Sequence, residues 1–125
     1  MNFPDNIKYT REHEWIKING AEAIVGITEF ATNELGDIVF LEIETVGESL
    51  NKGHAFGTVE AVKTVSDMFM PVSGEVLSVN AKPESTPEIV NKDPYGQGWL
   101  IKMKIHDLSE LEDLLVVDDY KAIVE

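Results

Sequence analysis

Along most of this chain apolar and polar residues alternate with a period of two, the signature of half-buried strands, and Gly, Pro and Asn break the alternation at short intervals. Residues 13–18 alternate, Asn19-Gly20 intervenes, and residues 21–27 alternate again. Asn-Gly between two such runs predicts a β-hairpin, because both residues tolerate positive φ. Thr28 then caps a short helix over 29–35, with Phe30, Ala31 and Leu35 on one face and Gly36 ending it. A strand follows at 38–44 with Val39, Leu41 and Ile43 sharing a face, and Val46-Gly47-Glu48-Ser49 turns the chain round.

The next run is a hairpin over 57–70 with Lys63 at its bend. Ala55, Gly57, Val59 and Ala61 fall on one side going up, and these small residues suggest a close approach of two sheets. Coming back, Val65, Asp67 and Phe69 alternate with Ser66, Met68 and Met70, and Pro71 to Gly74 supplies a turn. Gly47-Glu48-Ser49-Leu50 before this hairpin is echoed by Gly74-Glu75-Val76-Leu77 after it, which suits a sandwich of two similar halves.

Residues 80–98, with Pro83, Pro87, Pro94, Gly96 and Gly98, read as loop with one helical turn around Pro87-Glu88-Ile89-Val90. Trp99, Ile101, Met103 and Ile105 then oppose Leu100, Lys102, Lys104 and His106 in a last strand. The tail changes period. Ser109-Glu110-Leu111-Glu112 is a capping-box pattern that points Leu111, Leu114 and Leu115 inward, and Asp118 caps a second helix through Tyr120 and Ile123. About seven short strands and small peripheral helices, with a helical C-terminal segment over 109–124, predict a mainly β sandwich or flattened barrel. At 125 residues one domain, 1–125, is the natural count.

Composition narrows the function. There is no cysteine, which excludes a disulfide scaffold, a thiolate metal site and a cysteine nucleophile. Ten basic residues against 23 acidic ones give a net charge of −13, a field that repels phosphate backbones and disfavours nucleic-acid partners. The same charge favours solubility and would steer docking onto enzymes with basic entrances. No apolar run reaches membrane-spanning length, and residues 1–5 look like neither a signal nor a transit peptide. The expectation is a monomer in the cytoplasm of a prokaryote, or a mature organellar chain.

Few residues look chemical. His13, His54 and His106 are scattered without ligand spacing; Glu112-Asp113 and Asp118-Asp119 lack the spacing of a calcium loop and read as helix starts. Neither a serine-triad signature nor a phosphate-cradling glycine loop occurs. Lys63 stands out by its place. Bare, such a lysine is ordinarily a solvent-facing residue; here Ala61, Val62, Thr64 and Val65 leave it unpaired and open to a modifying enzyme, with Glu60 and Asp67 slightly further off.

Val59-Glu60-Ala61-Val62-Lys63, then Ser66-Asp67, then Pro71-Val72-Ser73-Gly74-Glu75-Val76 resembles the lipoyl-lysine hairpin of the H protein of the glycine cleavage system. Biotin carriers place Met on both sides of their lysine and 2-oxoacid dehydrogenase lipoyl domains favour Asp-Lys-Ala, whereas Val62 and Thr64 flank Lys63. The likeness extends along nearly the whole chain: through Tyr9-Thr10-Arg11-Glu12-His13-Glu14-Trp15, Gly26-Ile27-Thr28, residues 35–39, and residues 91–99. Helical ends set it apart from the minimal biotinyl and lipoyl modules.

The resemblance implies a barrel-sandwich hybrid of the lipoyl/biotinyl kind, with lipoic acid in amide linkage at Lys63 as N6-lipoyllysine. It implies an arm cleft to which Glu14 and Asp67 belong; Glu34 stands where some members have His. It also implies partners: a pyridoxal-phosphate glycine decarboxylase that loads an aminomethyl group, and a tetrahydrofolate-dependent aminomethyltransferase that removes it. A flavin dihydrolipoyl dehydrogenase would reoxidise the arm, and a lipoate ligase or lipoyl/octanoyl transferase would install it. On this view the chain carries and catalyses nothing. Two alternatives stand beside it: lipoate relay outside glycine cleavage, and an enzyme using Lys63 directly as amine nucleophile or base. The second needs a depressed lysine pKa, which nearby carboxylates oppose.

Overall fold

Nine strands form two antiparallel sheets in the structure, a computed structural model that describes residues 1–125. The larger sheet has the order β1 (Lys8–Tyr9), β2 (Glu14–Asn19), β3 (Glu22–Ile27), β9 (Ile101–Ile105), β8 (Gly74–Val79), β5 (Ser49–Leu50). The smaller has the order β4 (Ile38–Glu42), β6 (Ala55–Ala61), β7 (Val65–Phe69). Four helices decorate them: α1 (Glu29–Leu35), α2 (Ala81–Ser85), α3 (Ile89–Lys92) and α4 (Val117–Val124), with a 3-10 helix over Leu108–Asp113. Neither sheet closes into a barrel. Two of the nine strands are only two residues long, which leaves seven of ordinary length.

Alternation distributes the side chains. Ile16, Val25, Met103 and Val76 from the large sheet meet Leu41, Val59 and Met68 from the small one in a core of 18 buried residues. Trp15, one position from Ile16, points the other way and joins Ile7, Tyr9 and Tyr120 in a second cluster under α4. Its indole lies across Gly26, where a Cβ would stand 2.6 Å from Trp15 Nε1, and the indole N–H donates to the Pro94 carbonyl at 3.0 Å. Burying a ring this large stabilises the fold by about 2–3 kcal/mol, and glycine opposite it is what leaves room.

The echoed tetrapeptides meet. Ser49 and Leu50 pair antiparallel with Glu75 and Gly74, the Gly47 amide donates to the Val76 carbonyl, and the Val76 amide donates to the Glu48 carbonyl. The foot of the 57–70 hairpin is therefore tied to the large sheet on both sides.

Several local expectations shift. The first hairpin turns at Gly20-Ala21, one residue later than the Asn-Gly pair, because Asn19 still pairs with Glu22 and the positive φ (65°) falls on Gly20 alone. Bulges displace the faces of β4 and β6. Between Ile38 and Phe40 the register slips, so Val39 is exposed while Ile38, Leu41 and Ile43 are buried. Between Ala55 and Gly57 a second slip exposes Ala55 and buries Phe56, and the close approach at Gly57 is to Glu42 and Ile43 of the neighbouring chain segment. Leu100 is buried against its expected phase, since β9 begins only at Ile101. The 80–98 segment holds one helix more than expected: Asn80 caps α2 by accepting from the Lys82 amide.

In the tail, Asp107 is the cap in place of Ser109, its carboxylate accepting from the Ser109 amide and hydroxyl, and the helix it opens is 3-10. Those bonds hold the Asp107 carboxyl below its ordinary range. Asp118 caps nothing; α4 starts after Val116 with no side-chain cap, and Asp118 lies in its first turn. Leu111 and Leu114 do pack on the main core, and Leu115 on the cluster under α4.

Candidate functional site

Lys63 stands exposed at the apex between β6 and β7. The turn is held by its backbone: the Ala61 amide donates to the Thr64 carbonyl at 2.7 Å, and the Val62 amide to the Asp37 carbonyl at 3.1 Å. Neither Val62 nor Lys63 has positive φ. Val62 and Val65 beside it are 76% and 60% exposed, an apolar collar that the fold itself leaves uncovered. The alkyl stem of Lys63 runs past Gly36, where a Cβ would lie 3.6 Å from Lys63 Cε. Gly36 ends α1, its amide donating to the Thr32 carbonyl, and has φ 82°.

A cleft of about 200 Å³ lies along α1, whose Leu35 precedes Gly36. Ala31 and Leu35 of α1, Ile27, and Val59 of β6 give it apolar walls, and Asp67 and Glu34, both exposed, sit on its rim. Asp67 is thus on the outward phase of β7 with Val65, while Met68 between its neighbours is buried.

Glu14 lines the same cleft. It starts β2 in phase with Ile16, on the core side, and only 2% of it is exposed. Its carboxylate accepts from the Thr10 hydroxyl at 2.8 Å and from the Phe69 amide at 3.3 Å, so it joins the large sheet to the end of β7. Burial pushes its pKa up to about 7, against the opposing effect of those two hydrogen bonds. No lysine or arginine pairs with it: the ion pairs of the fold are Lys52–Asp113 and Lys102–Glu22. A buried carboxylate lacking a cation and lining an apolar cleft is equipped to receive one. Glu14 also lines a second, larger cleft of about 360 Å³, bordered by Arg11, Phe69 and the Lys52–Asp113 pair.

The structure brings Glu14 and Asp67 to one cleft; Lys63 does not line it, but its stem passes Gly36, the residue next to Leu35 of the cleft wall. Burial removes the reading of Glu14 as a solvated strand carboxylate. Sequence reasoning missed three supports. Thr10 gives its hydroxyl to Glu14 and accepts the Glu14 amide. Asn91 of α3 accepts from the Ile38 amide and donates to the Gly36 carbonyl, both at 2.9 Å, fixing the joint between α1 and β4 under the lysine turn. Tyr120 reaches His13 and Thr28 from the far end of the chain. Only the first left a trace in the pattern: a glutamate occupying a core-phase position needs a nearby donor.

No cluster of His, Cys, Asp or Glu is arranged to hold a metal ion, and no helix is long and apolar enough to cross a membrane.

Comparison with known proteins matches residues 7–125 to the family model described as Glycine cleavage H-protein. The glycine cleavage system H protein of Bacteroides thetaiotaomicron is 60% identical over 124 residues, covering 99% of this chain and 98% of that protein. That of Carboxydothermus hydrogenoformans is 50% identical over 122 residues, covering 98% and 94%. Among solved structures, a glycine cleavage system H protein from Mycobacterium marinum superposes with a TM-score of 0.86 at 39% identity, covering 95% of this chain and 96% of that one.

Proposed function

The chain belongs to the glycine cleavage H-protein family, the lipoyl carriers of glycine cleavage, and we propose that it carries its lipoyl group on Lys63 and rests the loaded arm in the cleft that Glu14 lines. The observation behind this is the juxtaposition of an exposed apex lysine whose stem passes Gly36, a cleft walled by the adjoining Leu35, and a cation-free buried carboxylate lining that cleft. Held there as an amide, lipoic acid supplies a cyclic disulfide, one sulfur of which can take an aminomethyl group while the other becomes a thiol.

The chain's own residues position and protect. Amide formation removes the charge of Lys63, and its stem along Gly36 directs the arm toward α1. Ile27, Ala31, Leu35 and Val59 exclude water. Glu14 gives its carboxylate to the ammonium of the load, a charge-assisted hydrogen bond in a dry site, and Asp67 meets the same charge at the rim. The protein 1–125, a single domain, itself catalyses no step; tethering raises the concentration of its load at each docked enzyme.

In this reading it serves a pyridoxal-phosphate glycine decarboxylase, a tetrahydrofolate-dependent aminomethyltransferase and a flavin dihydrolipoyl dehydrogenase. A lipoate ligase or lipoyl/octanoyl transferase modifies it, and it works as a monomer in the cytoplasm. The net charge of −13 favours approach to basic entrances, and the collar of Val62 and Val65 offers apolar contact there.

The test has two arms. Peptide mass mapping of protein from its host should find the lipoyl adduct on Lys63 alone, and Lys63→Arg should carry none. Hydrolysis of the loaded form should accelerate in Glu14→Gln and Asp67→Asn; rates equal to the parent in both would remove the cleft from the reading.

A further inference from the structure

His13 is the only basic side chain lining the arm cleft, and three observations fix what it does there. Its backbone has φ 70°, the one positive φ outside glycine, so its place is imposed by surrounding contacts. Its ring packs on Phe30 of α1 with centroids 4.6 Å apart. Its Nδ1 lies 2.9 Å from the Tyr120 hydroxyl, which in turn lies 2.7 Å from Thr28 Oγ1, the cap of α1.

The hydrogens along this chain can be placed by counting. Thr28 is fully buried, and its Oγ1 already accepts from the Ala31 amide. Its hydroxyl hydrogen has one acceptor in reach, the Tyr120 oxygen. A hydroxyl has a single hydrogen to give, so Tyr120, accepting from Thr28, donates to His13 Nδ1. His13 Nδ1 then carries no proton and the ring's one N–H is on Nε2. Adding a proton at Nδ1 would turn Tyr120 into an acceptor from both sides and leave one buried hydroxyl hydrogen without a partner.

We propose that Tyr120 is a positioning residue for the arm cleft: through its paired bonds to Thr28 and His13 it keeps His13 neutral, so that the cleft presents carboxylates to a cationic load without a competing cation beside them. This rests on the reading that the cleft receives the loaded arm. The C-terminal helix α4 thereby acts on the site through one oxygen atom. The groups facing His13 are Glu12 on its own turn, Glu34 on α1 and the Tyr120 phenol on α4, with Glu14 and Asp67 in the same cleft. Burial lowers the His13 pKa and the two glutamates Glu12 and Glu34 oppose it; the relay adds to burial.

The experiment uses unlipoylated protein first. Long-range proton–nitrogen NMR of the imidazoles, with His54 and His106 removed in turn for assignment, should show His13 as the Nε2–H tautomer; the Nδ1–H tautomer overturns the assignment. Tyr120→Phe keeps the ring stacked on Tyr9, 4.5 Å away and 4° from parallel, and removes only the oxygen. In it the His13 titration should move up by about half a pH unit or more, as it should in Thr28→Val, while Thr28→Ser behaves as the parent. No movement in Tyr120→Phe overturns the proposal. With loaded carrier, Tyr120→Phe should hydrolyse several-fold faster than the parent at pH 6 and near the parent rate at pH 8, whereas Glu14→Gln, which removes a carboxyl that titrates near 7, should be fast relative to the parent chiefly at pH 8. Parent rates in Tyr120→Phe beside a fast Glu14→Gln defeat the relay's role alone; parent rates in Glu14→Gln defeat the arm-cleft reading instead.

Discussion

The amide of Phe69, on β7 of the small sheet, donates to Glu14 Oε2 on β2 of the large one at 3.3 Å. This single bond spans 55 residues of sequence and ties the two sheets at the cleft. It also places a carboxyl where its charged form is poorly solvated.

That placement makes stability depend on pH. Glu14 is raised from an ordinary 4.5 to about 7 in the folded chain. An acid raised on folding binds its proton more tightly folded than unfolded, so its contribution is fully present below about pH 4.5 and is lost as pH rises through 7. Urea unfolding of the parent and of Glu14→Gln should therefore diverge over that window, the parent losing up to about 3 kcal/mol relative to the variant. A constant difference from pH 4.5 to 7.5 would show that Glu14 titrates as an exposed acid does.

Gly74→Ala should destabilise the fold by about 2–3 kcal/mol. A Cβ there would collide with the Lys104 carbonyl oxygen and lie 2.5 Å from Met103 Cε. The methionine can move and the β9 backbone cannot, so thermal unfolding should shift down without loss of cooperativity.

Asn91→Ala strips partners from the Ile38 amide and the Gly36 carbonyl at once. Leaving two part-buried backbone groups unpaired costs about 2 kcal/mol. Hydrogen exchange should show the loss locally, at Ile38 and the end of α1, before the sheets are affected.

Asp113→Asn, by contrast, should change stability by less than about 0.5 kcal/mol. The Lys52–Asp113 pair is 3.3 Å long, but both side chains are well exposed, 42% and 66%, and water competes for each. Denaturation curves at low and high salt should nearly coincide for parent and variant.

The sequence announced those parts whose causes are local. The apex at Lys63, the Thr28 cap of α1 and the inward phase of Ile101, Met103 and Ile105 all follow from neighbours within a few residues, and each stands where expected. The misplaced details share a different origin. The turn at Gly20-Ala21 and the exposed Val39 depend on cross-strand register, which a single strand does not record. Asp107 outcompetes Ser109 as cap because its carboxylate takes both the amide and the hydroxyl of Ser109, a choice invisible to a four-residue pattern. The environment of Glu14 and the bond between His13 and Tyr120, 107 residues apart, exist only once the chain has closed on itself.

The lysine turn is pinned by the Val62–Asp37 and Ala61–Thr64 backbone bonds, and the hairpin's foot is laced into the large sheet at Leu50 and Gly74. A mast stepped this firmly does not sway. Any appendage fixed at residue 63 must draw its whole sweep from its own single bonds, so its radius is a constant of the chemistry attached. Client enzymes must accordingly bring their reaction centres within that fixed circle.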